Sequence, residues 1–79
     1  MQTFLSKLID ANGNMVNFER WNYKSINTVI KNLKELYKHS IYRKDIAQSK
    51  KIVIYKTNYH CNDENKVFEQ DINEFLKDV

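Results

Sequence analysis

Proline is absent from this 79-residue sequence, and glycine and cysteine occur only once each. The lone cysteine, Cys61, excludes an internal disulfide framework and favours a reducing compartment. The lone glycine excludes the Gly-rich loops that bind nucleotide phosphates. The first ten residues lack the charged start and apolar run of a signal peptide, and no run approaches the roughly 20 apolar residues of a membrane-spanning helix. We therefore expect a cytoplasmic protein with no membrane partner.

The composition predicts a chain that folds. Leu, Ile, Val and Phe make up 22 of the 79 residues, well above the roughly 20% below which chains become disordered. At this length we expect one domain covering residues 1–79. Lys, Asn and Ile supply 29 of the 79 residues, and their codons are rich in A and T. This usage points to a low-GC bacterium or to one of its phages or plasmids.

The first third of the chain predicts a β-hairpin. Residues 3–10 and 15–23 alternate in a way typical of strands, and Asn12-Gly13 between them favours a two-residue type I′ turn. That turn sets a register with the pairs Ile9–Val16, Lys7–Phe18, Leu5–Arg20 and Phe4–Trp21. We expect one hairpin face to be covered and the other to carry an exposed aromatic pair, Phe4 and Trp21. We assign Phe18, Phe68 and Phe75 to the core, and Trp21, Tyr23, Tyr42 and Tyr59 to element ends and loops.

The clearest helical pattern follows the hairpin. Ser25 is a suitable N-cap for a helix over residues 26–40. The apolar residues recur at helical spacing and predict one stripe facing the core: Ile26, Val29, Ile30, Leu33, Leu36, Tyr37 and Ile41. Residues 42–50 fit either a second short helix or a structured crossover loop.

The last third predicts two strands and a short helix. Residues 52–55 are apolar at every position, which is typical of a central strand. A polar connector, Asn58 to Asn65, leads to a short edge strand at Val67-Phe68. Asp71 then caps a terminal helix carrying Ile72, Phe75, Leu76 and Val79. We expect an α+β fold of ββαββα order, with a small antiparallel sheet and one long amphipathic helix plus a short C-terminal helix packed on one face.

Candidate chemical sites fail on spacing. Asp10 to Asn14 resembles the opening of a calcium-binding loop. Such a loop needs a glycine where this chain has Met15 and a glutamate where it has Trp21. His60-Cys61 lacks the second ligand pair of a zinc site, and a Cys/His nucleophile would need a third orienting group. No pair of carboxylates lies on the helical stripe. We expect no catalytic residue, no metal and no cofactor, and therefore no enzyme.

The charge layout is the most informative functional feature. Residues 24–56 hold nine basic and two acidic residues, a net charge of +7, whereas residues 57–79 carry −4 and residues 1–23 are neutral. Lys31, Lys34 and Lys38, which we call the basic flank, share one side of the predicted helix. Tyr42 and Arg43 follow its end and are residue types common in interface hot spots. We nominate these five residues as the partner-binding site. The alternative is a solvated helix face balanced by the acidic C-terminal segment.

Two functional hypotheses follow. The first is a small non-enzymatic protein-binding module that occupies a surface of a larger protein or nucleoprotein complex. A phage or mobile-element inhibitor of a bacterial defence or nucleic-acid-processing complex, of the anti-CRISPR kind, is the example we would test first. Mimicry of DNA by the whole chain is excluded because the net charge is +3. The second hypothesis is a nucleic-acid-binding domain that uses the basic 24–56 segment. Homodimerisation is open in either case.

Overall fold

The computed structural model describes residues 2–57 and 61–77 and has an α+β architecture. Four strands form one antiparallel sheet in the order β2-β1-β3-β4. Their bounds are Gln2–Ile9 (β1), Met15–Tyr23 (β2), Lys51–Tyr55 (β3) and Lys66–Asp71 (β4). The helices are Ile26–Leu36 (α1), Arg43–Gln48 (α2) and Ile72–Phe75 (α3), with a 3₁₀ turn at Ser40–Tyr42 before α2. The described part of the chain contains no helix with the length and apolar content needed to cross a membrane.

The element order differs from the predicted ββαββα because the segment after α1 forms a 3₁₀ turn and a helix, and this second short helix is one of the two alternatives predicted for residues 42–50. The predicted length of the main helix is also wrong, since α1 has 11 residues and ends at Leu36 instead of residue 40. Its last turn tightens: the Lys38 and His39 amides donate to the carbonyls three residues back, at 3.3 and 3.2 Å. This change in geometry takes Ile41 off the apolar stripe and leaves it 79% exposed.

The hairpin register is confirmed except at its closed end. The pairs Lys7–Phe18, Leu5–Arg20 and Phe4–Trp21 are present, but a bulge between Leu8 and Ile9 places Ile9 opposite Met15 instead of Val16. The predicted type I′ turn is wrong, because it needs two positive φ angles and, among the described residues, only Gly13 has one, at 85°. Asp10 organises the turn instead, and its carboxylate accepts the amides of Asn12 and Asn14 at 2.9 Å each.

The helices all pack on one face of the sheet, as predicted, and the core lies between the two layers. The core cluster comprises Phe4, Leu8, Val29, Leu33, Tyr37, Ile52, Ile54, Ile72 and Phe75. Asp71 caps α3 as predicted, since its carboxylate accepts the amides of Asn73 at 2.9 Å and Glu74 at 3.3 Å. Two further expectations, Tyr59 and the terminal Val79, fall outside the described residues.

Phe75 lies in the core and Phe68 packs against it, as predicted, but the predicted positions of Phe4, Trp21 and Phe18 are wrong. Phe4 is 2% exposed in the core, and Trp21 packs against the same cluster. Phe18, expected in the core, is 42% exposed. It pairs with Lys7, which lies one residue from the covered positions Ser6 and Leu8 and so points away from the helices. The predicted pairs Phe4–Trp21 and Lys7–Phe18 are therefore confirmed, while the predicted covered face of the hairpin is wrong.

Candidate interaction surface

We call the sheet surface opposite the helices the open face. Its side chains come from alternate residues of each strand, so the pairing register identifies them. Strands β1, β2 and β3 contribute eleven side chains. They are Thr3, Leu5, Lys7 and Ile9 from β1; Met15, Phe18, Arg20 and Asn22 from β2; and Lys51, Val53 and Tyr55 from β3. At the other edge, β4 contributes Lys66, Val67 and Glu69, with a bulge opposite Tyr55, while the Asp71 carboxylate caps α3.

Two rows cross the middle of the open face. One row runs Phe18, Lys7, Val53 and Glu69, and the next runs Arg20, Leu5, Tyr55 and Lys66. Successive rows on one face are about 7 Å apart, because the rise is about 3.4 Å per residue and alternate residues share a face. Phe18 and Tyr55 therefore lie on a diagonal, with Lys7 and Leu5 between them.

Leu5 and Val53 form an apolar floor beneath the open face. Each is 2% exposed, although neither belongs to the core cluster under the helices. None of the helices in the described residues lies on this side. Above the floor, the Lys7 ammonium lies 5.5 Å from the centroid of the Tyr55 ring. The open face is thus partly dehydrated even without a partner.

Large apolar side chains are exposed on this face. Of the described residues, four large hydrophobic side chains are exposed, and three of them, Met15, Phe18 and Val67, are on the open face at 55%, 42% and 45%. The fourth, Ile41, lies in the 3₁₀ turn on the helical side. Clustering of exposed apolar side chains on one face is typical of an interaction surface, whereas scattered ones are common on any protein.

At the β4 edge of the open face, the charged side chains pair with one another. Glu69 accepts hydrogen bonds from the ammonium groups of Lys66 at 2.9 Å and Lys51 at 3.4 Å. The hydrogen bonds from Lys66 and Lys51 lower the pKa of the Glu69 carboxyl. The hydrogen bond to Glu69 in turn raises the pKa of the Lys66 ammonium. Burial is the main cause that raises the pKa of Tyr55 in the neighbouring row.

The five residues nominated from the sequence have different neighbours. Lys31 is exposed on α1, and Arg43 is exposed at the start of α2. The Lys34 ammonium lies 5.3 Å from the centroid of the Phe75 ring in α3. Lys38 forms an ion pair with Glu35, with Nζ and Oε1 3.1 Å apart. Lys34 and Lys38 therefore contact other side chains of the protein, and Arg43 lies on a separate helix from Lys31. The role of the five residues as a partner-binding site stays a prediction.

Tyr42 is held by contacts within the chain. Its ring meets the Tyr37 ring edge-on with centroids 5.4 Å apart, and the Glu19 carboxylate of β2 lies nearby. Burial, then the nearby Glu19 carboxylate, raises the pKa of Tyr42. Close by, Asn17 donates a 3.0 Å hydrogen bond to Asp45 of α2. These contacts attach α2 and its preceding turn to β2.

The chemical sites rejected from the sequence can be located in part. Asp10 uses its carboxylate to organise the hairpin turn. Cys61 is half-buried, while His60 lies outside the described residues. Across residues 2–57 and 61–77, no three His, Cys, Asp or Glu side chains come close enough together to hold a metal ion. A depression of about 320 Å³ borders Ala11, Ser49, Lys50 and Asp71, but its carboxylate is already committed to capping α3.

Comparison with known proteins gave no relative: no family model, no curated protein sequence and no solved structure matches this chain. The candidate surface therefore depends on the geometry alone. Sequence reasoning missed Met15, Phe18 and Val67. One signal was present, because the predicted register already paired Phe18 with Lys7, and a strand face bearing a lysine in its middle is more often the solvated one.

Proposed function

We propose that this chain is a non-catalytic protein-binding module that contacts a larger partner through the open face. The observation that supports this proposal is the exposure of Met15 and Phe18 on β2 and of Val67 on β4, on the same sheet face as the buried pair Leu5 and Val53. Aromatic residues and Met are enriched at protein interfaces, and burying one Phe side chain contributes about 1.5–3 kcal/mol. A ring of polar side chains around such a centre resembles the usual anatomy of a binding surface.

In the cell, the module would act by covering a surface of its partner. The AT-rich usage of Lys, Asn and Ile makes a bacterial complex the first class of partner to test. Within that class we propose a phage or mobile-element inhibitor of a defence or nucleic-acid-processing complex. Blocking such a complex needs tight, stable contact and no chemistry from the inhibitor.

A second candidate function, nucleic-acid binding by the 24–56 segment, is favoured by a separate observation. Seven of the nine basic side chains in this segment are exposed: Lys24, Lys31, Lys38, Arg43, Lys44, Lys50 and Lys56. Contacts between these cations and phosphates would release counterions, so affinity would fall steeply with salt. We rank this function second because the cations spread over several elements. It would also give no role to the exposed apolar side chains of the open face.

Affinity capture with matched variants tests the proposed function. The tagged protein is used to capture partners from bacterial host lysate, with and without nuclease, and the captured proteins are identified by mass spectrometry. Phe18→Ser removes an exposed apolar side chain from the open face, and Ile41→Ser removes one from the helical side. We expect a partner that survives nuclease, is retained by Ile41→Ser and is lost with Phe18→Ser.

Two results would contradict the proposal. Capture that disappears with nuclease would favour the nucleic-acid function. Equal capture by wild type and Phe18→Ser, with both proteins folded by circular dichroism, would show that the partner does not use the open face.

A further inference from the structure

We infer that residues 40–48, the 3₁₀ turn together with α2, form a strap that detaches from β2 as a unit while the sheet, α1 and α3 stay folded. Detachment uncovers the Tyr37 ring at the end of α1 and the Asn17 side chain of β2. The inference concerns the helical side of the molecule and does not depend on the proposed function of the open face.

Burial separates the strap from the rest of the helical layer. None of residues 40–48 is buried, whereas α3, with only four residues, buries Ile72 and Phe75 at 2% and 0% exposure. The helix α1 likewise has two fully buried residues. The strap contributes Tyr42 and Ile46 to the margin of the core, as half-buried side chains. A segment that buries so little apolar surface opens at a lower free energy than the core elements do.

The strap also has little helical stability of its own. The helix α2 has six residues, far fewer than the roughly 12–15 at which an isolated helix becomes marginally stable in water. Neither Tyr42 before α2 nor His39 before the 3₁₀ turn supplies a side-chain capping hydrogen bond. Arg43 and Lys44 place two cations at the start of α2, where the helix dipole favours carboxylates. The strap therefore stays helical because of its contacts with β2 and the core.

Side-chain contacts hold the strap in place. Asn17 of β2 donates a 3.0 Å hydrogen bond to the carboxylate of Asp45, and the Tyr42 ring meets the Tyr37 ring with centroids 5.4 Å apart. The side chain of Ile46 adds a contact with the core. Loss of these contacts leaves the hydrogen-bonded pairs of the sheet intact, so the strap can be released without unfolding the sheet.

Residues on both sides of the strap are firmly anchored. Before it, Tyr37 is 6% exposed and its amide donates a 3.0 Å hydrogen bond to the Leu33 carbonyl. After it, the Lys50 amide donates to the Ile9 carbonyl at 2.7 Å, and the Lys50 carbonyl accepts the Ile72 amide at 2.9 Å. These bonds tie the chain to α1 on one side and to β1 and α3 on the other, so the released segment ends where they begin.

Extended backbone lies between the strap and its anchors. His39 has a ψ of 138° and Ser49 a ψ of 150°, and each adjoins a helical segment. Hinges are typically a few residues at the ends of elements, where a change in φ and ψ moves a whole segment. His39 and Ser49 are therefore the positions about which the strap moves.

Native-state hydrogen exchange of the backbone amides, followed by NMR at urea concentrations below the unfolding transition, tests the inference. The strap is reported by the amides of Tyr42 and Ser49, whose hydrogen bonds are 3.1 Å each. The reference amides are those of Tyr37 and Ile72, with bonds of 3.0 and 2.9 Å. After correction for intrinsic rates, we expect the strap amides to exchange at least about tenfold faster than the reference amides. Their rates should depend little on urea, because local opening exposes little surface.

Two asparagine variants of β2 test how the strap is held. Asn17→Ala removes the hydrogen bond to Asp45. Asn22→Ala is the matched control, because the Asn22 side chain bonds to Thr3 on the open face. We expect Asn17→Ala to speed exchange of the strap amides about three- to tenfold while the reference amides stay unchanged. Asn22→Ala should leave the strap amides as they are in the wild type.

The inference would be overturned by strap and reference amides that exchange at the same corrected rate with the same urea dependence. Residues 40–48 would then open only when the whole domain unfolds. An equal effect of Asn17→Ala on all of these amides, or no effect on the strap amides, would also overturn it. Partner capture by Phe18→Ser is measured separately, so either result leaves the proposed function of the open face standing.

Discussion

The indole Nε1 of Trp21 donates a 3.0 Å hydrogen bond to the hydroxyl of Ser6 beneath the helices. Ser6 is 1% exposed and lies on β1 between the core residues Phe4 and Leu8. The bond joins β1 to β2 on the covered face, where a large aromatic ring would otherwise bring an unpaired N–H group against the core. It explains why a polar residue occupies the middle of an apolar strand face.

Ser6→Ala should lower the free energy of unfolding by about 1–3 kcal/mol, because it leaves the Trp21 N–H without its acceptor. Urea denaturation followed by Trp21 fluorescence measures this loss. Thr3→Ala is the control, since it removes a 2.9 Å hydrogen bond to Asn22 that is exposed to solvent. Equal losses for the two variants would mean that the Trp21 bond contributes no more than a solvated one.

Leu33→Asp should unfold the protein, and Ile41→Asp should not. Leu33 is fully buried between α1 and the sheet, so the variant places an unpaired carboxylate in the core. We expect a loss of more than about 4 kcal/mol, comparable to the whole stability of a small domain. Ile41 was assigned to the same stripe from the sequence but is 79% exposed, so its change should stay within about 0.5 kcal/mol. Thermal melts followed by circular dichroism compare them, and an unchanged melting temperature for Leu33→Asp would remove Leu33 from the core.

Local features of the fold were predictable from the sequence. The β2 bounds, three of the four hairpin pairs, the first three turns of the α1 stripe and the Asp71 cap all depend on residues close together in the chain. The 79% exposure of Ile41 shows the limit of periodicity, which predicts which residues share a face only while the helix continues.

Features set by distant residues were not predictable. Which hairpin face is covered depends on where α1 and α3 pack after β3 pairs with β1, and Phe4 and Phe18 were assigned to the wrong faces for this reason. The hydrogen bond from Asn17 to Asp45 likewise joins residues far apart in the chain. The open face became visible as a candidate site only once the helical layer was located on the other side.

The stability of the protein should fall at alkaline pH through Tyr37. Burial, with a further contribution from Glu19, raises the pKa of its hydroxyl, so the folded chain keeps a proton that the unfolded chain loses. The stabilisation is complete below the ordinary tyrosine pKa of about 10 and is lost as pH rises, by up to about 1.4 kcal/mol per pH unit. Urea denaturation at increasing pH above about 9 measures this slope. Tyr37→Phe should have a shallower slope than wild type, while parallel curves would contradict the assignment.

Cys61→Ser should leave the fold, the metal content and partner binding unchanged. Cys61 is half-buried, and the described residues around it supply no three-ligand group. Elemental analysis of the purified wild type and variant, together with thermal melts, checks this expectation. Stoichiometric zinc in the wild type that is lost in the variant would reveal a site involving residues such as His60.

The last prediction distinguishes the open face from the basic flank. Lys31→Glu, Lys34→Glu and Lys38→Glu are combined in one variant and compared with Phe18→Ser in kinetic binding measurements on the captured partner. The flank belongs to the helical layer, which packs on the side of the sheet away from the open face. The Debye length at physiological salt is about 8 Å, so charges on the flank are largely screened from a partner on the open face. We therefore expect the triple variant to change affinity less than about threefold, mainly through the association rate, and Phe18→Ser to increase the dissociation rate.

Loss of binding in the triple variant would contradict this prediction. If the triple variant abolishes binding at physiological salt and keeps its melting temperature, the interface is the one nominated from the sequence, with Tyr42 and Arg43 beside the flank. Lys34 needs its own control, because its substitution removes the contact with the Phe75 ring, worth about 0.5–1 kcal/mol at an exposed site. The double variant of Lys31 and Lys38 leaves that contact in place. Loss of binding in the double variant would therefore assign the partner to the basic flank without any change in the packing of α1 on α3.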